Sequence, residues 1–276
     1  MAFPIVLRTP VPLRETLLEL PGANSNRSSF RTRVNSIDLN CDLGEGAGHD
    51  AELMPLITSA NIACGAHAGD EATMRVTVAL AQRYGVAIGA HPGFADREHF
   101  GRRELPLSPA EVKILVAGQI NALRALAPVR HVKPHGALYN MAARDAALAA
   151  AVAGAVQAVD PALVLVGLAG SELLRAGRVL GLRVVSEVFV DRTYQVDGTL
   201  TPRSRPDALI LDEAAAVAQV LRMVCEGVVR ARDGTDVPVE ADTICLHGDG
   251  PHAVAFARRL NEELRRAGIA IKAFGS

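Results

Sequence analysis

A chain of 276 residues is long enough for one large domain or two small ones, and barrels commonly run past about 200 residues undivided. Its 29 basic and 30 acidic side chains leave a formal net charge of −1, so no electrostatic field gathers nucleic acid or anionic lipid, and both kinds of partner are excluded. Hydrophobic residues make up 49% of the chain, mostly Ala, Val and Leu with no Trp, which calls for the small-aliphatic core that helices on a parallel sheet provide.

Residues 1–35 differ from the remainder of the chain. Pro4, Pro10, Pro12 and Pro21 interrupt any helix, and Arg27, Arg31 and Arg33 lie in a Ser/Asn-rich stretch. This segment is expected to be a disordered extension, or a start placed too early, ahead of a single domain over 36–276. Its apolar part, 2–7, is too short for a secretory signal, although a basic, Ser-containing leader also fits a transit peptide.

From Ser36 onward, short apolar runs alternate with longer amphipathic segments. The runs predict strands at 37–41, 60–63, 87–90, 131–133, 163–168, 184–188 and 243–246. Helices are expected at 50–56, 70–84, 109–126, 144–159, 171–180, 212–231 and 252–267. Ser108 before Pro109 and Glu111 reads as an N-cap with proline in the first turn, and Gly85, Gly181 and Gly268 stand where C-cap glycines are wanted. Regular strand and helix alternation points to a parallel sheet, and seven units favour an irregular barrel over an open sheet. Such a barrel is expected to be packed and inert inside, with its chemistry at the C-terminal tips of the strands.

Those tips carry the candidates. The first run ends in Asp38-Leu39-Asn40-Cys41-Asp42-Leu43-Gly44-Glu45, two acidic groups on a glycine-rich turn, suited to metal coordination or general-base chemistry. Alone, it would read as an Asx-turn with a solvated glutamate. His67 and His91 follow the next two strands among small residues, so Asp42, His67 and His91 are the candidate metal ligands or acid–base set. The fourth tip, Lys133-Pro134-His135-Gly136, is the most telling. The chain has three lysines, and one that ends an apolar strand implies a need for a compact ammonium or a tunable pKa. Glu187, then Asp191, Arg192 and Tyr194 on a long loop, then His247 and Asp249 complete the series. The loop of about 20 residues reads as a lid or binding loop, with Arg192 suited to a carboxylate or phosphate.

Other devices are missing. There is no GxxxxGK[ST] loop, no GxGxxG after a strand and no GxSxG elbow, so neither an independent nucleotide site nor a serine nucleophile is expected. Cys41, Cys64, Cys225 and Cys245 show no CxxC spacing, and three lie in apolar runs, which fits a reducing cytoplasm and argues against a cysteine-built zinc site. The most apolar stretch, 142–159, is shorter than the ~20 residues a membrane span needs and contains Arg144, Asp145 and Gln157.

Taken together, these motifs resemble the lactam-utilisation (LamB/YcsF) family. The stretches that carry the likeness are DLNCDLGE from Asp38, SANIACG from Ser59, HAGD from His67, GAHPGF from Gly89, FGRR from Phe100, VKPHGALYN from Val132, EVFVDRTY from Glu187, DGTLTPRS from Asp197 and CLHGD from Cys245. The resemblance covers roughly 37–271. Ala66 stands where a bulkier aromatic is expected, Glu71 where proline is expected, and the segment before Ser36 lies outside the pattern.

The resemblance implies an α/β fold, an irregular seven-stranded parallel β/α barrel akin to the glycoside hydrolase and deacetylase group. It also implies a hydrolase role in an ATP-dependent 5-oxoprolinase, converting 5-oxo-L-proline to L-glutamate together with subunits B and C. ATP would be a co-substrate, with a divalent metal either as Mg²⁺ on ATP or as a bound transition metal. Asp42, His67, His91, Lys133, His135 and His247 are then the expected catalytic groups. Asn40, Glu45, Glu187, Asp191, Arg192, Tyr194 and Asp249 are the expected substrate contacts. A lactam is an unactivated amide, so opening it calls for a strong electrophile or phosphorylation of its oxygen. Lys133 and Arg192 are expected to neutralise anionic charge while a His/Asp pair directs water. The competing readings are a metal-dependent amide or carbohydrate N-deacetylase and a non-catalytic metabolite-binding subunit.

Overall fold

The computed structural model describes residue 1 and residues 35–247 and 253–275. Apart from Met1 and Asn35, the segment expected to be an extension lies outside the described residues, as does Asp249. The chain divides into two units, Met1–Arg31 and Thr32–Ser276, and every element below belongs to the second.

Seven parallel strands close into a barrel: β1 (Ser36–Leu43), β2 (Ser59–Ala63), β3 (Ala87–His91), β4 (His131–Val132), β5 (Val164–Leu168), β6 (Val184–Phe189) and, after a small hairpin, β9 (Thr243–Leu246). Closure comes from β9, which pairs with β6 through Glu187 and Thr243 and with β1 through Asp38 and Thr243. The β/α barrel expected from the sequence is therefore the fold.

The helices form where their caps are encoded. Asp70 accepts from the Thr73 amide to start α2 (Glu71–Tyr84), which ends on Gly85 at φ 68°. Ser108 and Glu111 form a reciprocal capping box at the start of α3 (Pro109–Arg124). Asp145 caps α5 (Ala146–Val159), Ser171 caps α6 (Glu172–Val179) and Asp212 caps α7 (Glu213–Glu226). A short α1 (Asp50–Leu53) and α8 (Ala253–Arg266) complete the outer layer. Their buried faces and the outward residues of the strands make the main core, including Leu39, Ile62, Ile120, Val156 and Leu260. Among the described residues no single helix is long and apolar enough to cross a membrane.

Four features depart from the sequence reading. The VKPHGALYN stretch is not all loop, because α4 (Gly136–Arg144) starts directly behind the fourth tip. The sixth expected helix, 212–231, stops at Glu226, where Gly227 turns to φ 71°. The β-branched Val228 and Val229 then enter a hairpin, β7 (Val228–Arg230) with β8 (Asp236–Pro238). A two-residue β10 (Ala270–Ile271) extends the sheet beside Ser36 and Ile37.

The fourth departure is the barrel interior, which is not inert. Asp38, Asn40, Asn61, His131, Lys133, Glu187 and Thr243 are all buried there and hydrogen-bonded in series. Among the described residues, Val164, Val166 and Val185 form a separate apolar cluster with Phe274 against it.

Candidate active site

At the base of the barrel, the Asp38 carboxylate accepts from Thr58 at 2.6 Å, Ser59 at 2.7 Å and Thr243 at 2.5 Å. Burial pushes its pKa up to about 6 despite those three donors. One step higher, the Asn61 amide donates to Asn40 Oδ1 at 2.7 Å and Asp42 Oδ1 at 2.8 Å, while its own oxygen faces His131 Nε2 at 2.8 Å. His131 fits only because residue 89 is glycine, since a Cβ there would lie 2.0 Å from Nε2. Burial, with the Lys133 charge, pushes the His131 pKa down to about 3.

Lys133 caps this column. Its Nζ lies 2.9 Å from Asp42 Oδ1, 2.8 Å from Glu187 Oε1, 3.2 Å from Asn40 Oδ1 and 3.1 Å from Cys245 Sγ. Burial works against the ammonium, but the Asp42 carboxylate leads the neighbours that hold its pKa well above the ordinary lysine value. Likewise burial would raise Asp42, yet the charges of His91 and Lys133 hold it well below the usual carboxylate range. The second oxygen of Glu187 accepts from the Tyr139 hydroxyl on α4 at 2.6 Å.

Beside this column, on the tips of β1 to β4, stand Glu45 and three histidines. Glu45 Oε1 lies 3.1 Å from His67 Nε2, 3.3 Å from His135 Nδ1 and 3.7 Å from His91 Nε2. His67 and His135 stack with centroids 3.8 Å apart. Burial works against the Glu45 charge, but hydrogen bonds from His135 and His67 hold it well below the ordinary glutamate range. Burial pushes His67 down to about 4 and depresses His135, whereas at His91 the Asp42 carboxylate outweighs burial and raises the pKa.

The backbone is shaped to hold these rings. Phe100 takes a left-handed conformation at φ 56°, turning its carbonyl onto His135 Nε2 at 2.8 Å. Gly93 lies so close that a Cβ would meet His67 Nδ1 at 2.7 Å, and Gln119 of α3 clamps Gly93 through both its amide nitrogen and its carbonyl.

Across the mouth, His247 Nδ1 lies 2.8 Å from Asp191 Oδ1, and Arg203 Nη2 donates to His247 Nε2 at 3.0 Å. With Nε2 accepting, the His247 proton sits on Nδ1, facing Asp191. Burial opposes the Asp191 charge, and His247 holds its pKa below the usual value. The two sides enclose a cleft of about 640 Å³ lined by Asp42, Glu45, His91, Lys133, His135 and His247 among others.

Several expectations are corrected. Tyr194 is fully buried and its hydroxyl accepts from the Phe189 amide at 2.8 Å, so it braces the loop rather than facing the cleft. Asn40 lies beneath the cleft floor with both amide atoms engaged, donating to Thr243 and accepting from Asn61 and Lys133. Arg192 reaches the cleft wall, but its guanidinium donates to the carbonyls of Thr201 at 2.6 Å and Ala208 at 3.4 Å, which ties the loop together. Of the candidate metal ligands, His67 and His91 fall in one cluster of ligand atoms and Asp42 in another. Ligand atoms converge from Glu45, His67, His91 and His135, and separately from Asp42, Cys245 and His247. Sequence reasoning assigned no role to Tyr139, Phe100 or Arg203. Tyr139 had a usable signal, since a tyrosine four residues behind His135 on an amphipathic stretch falls on the same helical face.

A model of the LamB/YcsF family matches residues 37–276. This chain belongs to that family. Within it, the chain is 59% identical over 249 residues to a protein of Geobacillus thermodenitrificans named as the A subunit of 5-oxoprolinase, covering 87% of this chain and 97% of that one. A protein of the same name from Bacillus subtilis is 55% identical over 247 residues, covering 86% and 96%. A solved lactam utilization protein from Thermus thermophilus superposes with a TM-score of 0.81 at 49% identity, covering 87% of this chain and all of that one.

Proposed function

We propose that this chain is the A subunit of an ATP-dependent 5-oxoprolinase. In this reading it works in the cytoplasm with subunits B and C and opens 5-oxo-L-proline to L-glutamate at the barrel mouth. The observation that carries the reading is the 59% identity to a protein named as the A subunit of 5-oxoprolinase, extending over 97% of that protein. The cleft chemistry supports it. Lactam, ATP and two waters give glutamate, ADP and phosphate, and the reacting species are anionic throughout. Phosphorylating the lactam oxygen activates the ring carbon. Water adds there, the C–N bond breaks as the nitrogen takes up a proton to leave an acyl phosphate, and the second water then releases phosphate and glutamate.

Asp42 is the residue we assign to directing that water. It is ionised and oriented by Lys133 and Asn61, and it reaches the cleft with its second oxygen 3.4 Å from His91 Nε2. Lys133 fixes Asp42 and Glu187 rather than gripping substrate, because its donors are already engaged. Arg203 and Arg102 stand on the cleft wall, where guanidinium groups suit a carboxylate or phosphoryl oxygen. When Arg203 turns to such an anion it releases His247 Nε2, leaving an imidazole oriented by Asp191 to move the proton to or from the ring nitrogen.

The test is an omission experiment. Glutamate release from 5-oxoproline and ATP is followed with all three subunits present and with this chain left out. Release only in the complete mixture is the expected result. No release from the complete mixture, or equal release without this chain, overturns the assignment.

A further inference from the structure

Two hydrogen bonds fix the tautomers beside Glu45. His91 Nδ1 lies 2.7 Å from the Lys133 carbonyl, and His135 Nε2 lies 2.8 Å from the Phe100 carbonyl. A carbonyl only accepts, so each of these nitrogens carries a proton. In their neutral forms the rings then present lone pairs from His91 Nε2 and His135 Nδ1, which face each other at 3.0 Å with Glu45 Oε1 at 3.7 and 3.3 Å. Three acceptors cannot crowd together in a buried site unless a positive species lies among them.

We propose that Glu45 Oε1, His91 Nε2 and His135 Nδ1 bind a divalent transition-metal ion of the zinc class, with the open coordination position facing the cleft. The spacing fits. Zinc bonds of about 2.0–2.1 Å place tetrahedral ligands about 3.3 Å apart, and the three separations of 3.0, 3.3 and 3.7 Å bracket that value. The outer contacts fit as well, since metal-binding imidazoles typically donate their remote N–H to a carbonyl or carboxylate, as His91 and His135 do. All three ligands line the cleft, and the Gly101 turn that carries the Phe100 carbonyl packs directly on the rings.

His67 is not a ligand in this assignment. Its Nδ1 is buried without a hydrogen-bond partner, so Nε2 keeps its proton and donates to Glu45, orienting the carboxylate. The alternative cluster of Asp42, Cys245 and His247 is a poor cation site, because the Lys133 ammonium already occupies Asp42 and approaches Cys245 Sγ at 3.1 Å. An ion at Glu45 would polarise a carbonyl or phosphoryl oxygen, or acidify a bound water. The inference stands on the proposed lactam chemistry only for its purpose, since metal binding is measured without substrate or partner subunits.

The experiment is titration of chelator-treated full chain with Co²⁺, read by visible d–d absorption and by metal content after dialysis against Zn²⁺. Wild type takes up one equivalent and develops the absorption of a four- or five-coordinate site. Glu45→Gln and His135→Ala, each shown folded by its thermal melt, weaken binding by more than the about 10–100-fold that loss of an outer-sphere partner costs. His67→Gln retains the spectrum. No stoichiometric uptake by wild type overturns the proposal and leaves a proton shared between His91 and His135 as the positive species. Unchanged binding in His135→Ala, or a lost spectrum in His67→Gln, overturns the ligand set.

Discussion

On the wall of the cleft built by β1 to β4, Glu45, His91 and His135 are held by one another, and both rings are tied to main-chain carbonyls. On the facing wall, built by β6, β9 and the 190–211 loop, Arg203 is exposed, His247 is half-buried, and their partners are other side chains. The first wall cannot adjust without breaking backbone contacts, so it suits a small ligand of fixed geometry. The second can exchange partners at little cost, which suits the proposed reaction, in which the substrate's charge would change. Lys133 joins the two, pairing with Asp42 on one side and Glu187 on the other.

The most severe way to break this arrangement is Lys133→Ala. It leaves two carboxylates at the core without their cation, and the expected cost is about 3–5 kcal/mol in chemical denaturation. A loss below about 1 kcal/mol would mean that water already screens the pair. Beneath both walls, Asp38 sets a pH dependence. Its folded pKa of about 6 is above the unfolded value. Protonated Asp38 therefore contributes stability that is whole below about pH 4 and gone once pH has risen through 6, on the order of 3 kcal/mol. Unfolding of wild type and Asp38→Asn at pH 4 and pH 7 reads this directly, with wild type losing ground to the variant as pH rises.

The rigid wall is sharpened by Gly93→Ala, whose methyl group would lie 2.7 Å from His67 Nδ1 and 3.2 Å from His135 Cβ. A cost of about 1–3 kcal/mol is expected, and a neutral result would show that the wall yields. The adaptable wall makes the opposite prediction. Arg203→Ala should change stability by less than about 0.5 kcal/mol, yet raise KM for the anionic substrate about 10–100-fold, as loss of a charge-assisted hydrogen bond does.

Much of this was legible in the chain. Seven apolar runs with polar tips gave the barrel strands, and the scarcity of lysine singled out Lys133, which the structure places where the two walls meet. What could not be read was the pairing of groups within the site. The likeness of His67 and His91 in sequence hides that His91 lies against Asp42 while His67 faces Glu45. Alternation along a strand puts Asp38 and Asn40 on one face, but only closure of the barrel shows that this face meets Asn61, His131 and Thr243 rather than solvent. Arg192 misled because a loop arginine looks the same whether it awaits an anion or satisfies its own loop's carbonyls. The strand carrying His131 is two residues long, so no periodicity marked that histidine as inward-facing.

The central claim is that water is directed onto the activated lactam by Asp42 at the mouth of this barrel. It is tested most directly by Asp42→Asn in the complete assembly with subunits B and C, measuring glutamate release and ATP hydrolysis side by side on a variant shown to fold. The account predicts that glutamate release falls by at least about 100-fold, the scale of a lost general base. Glutamate release within a few-fold of wild type would contradict it.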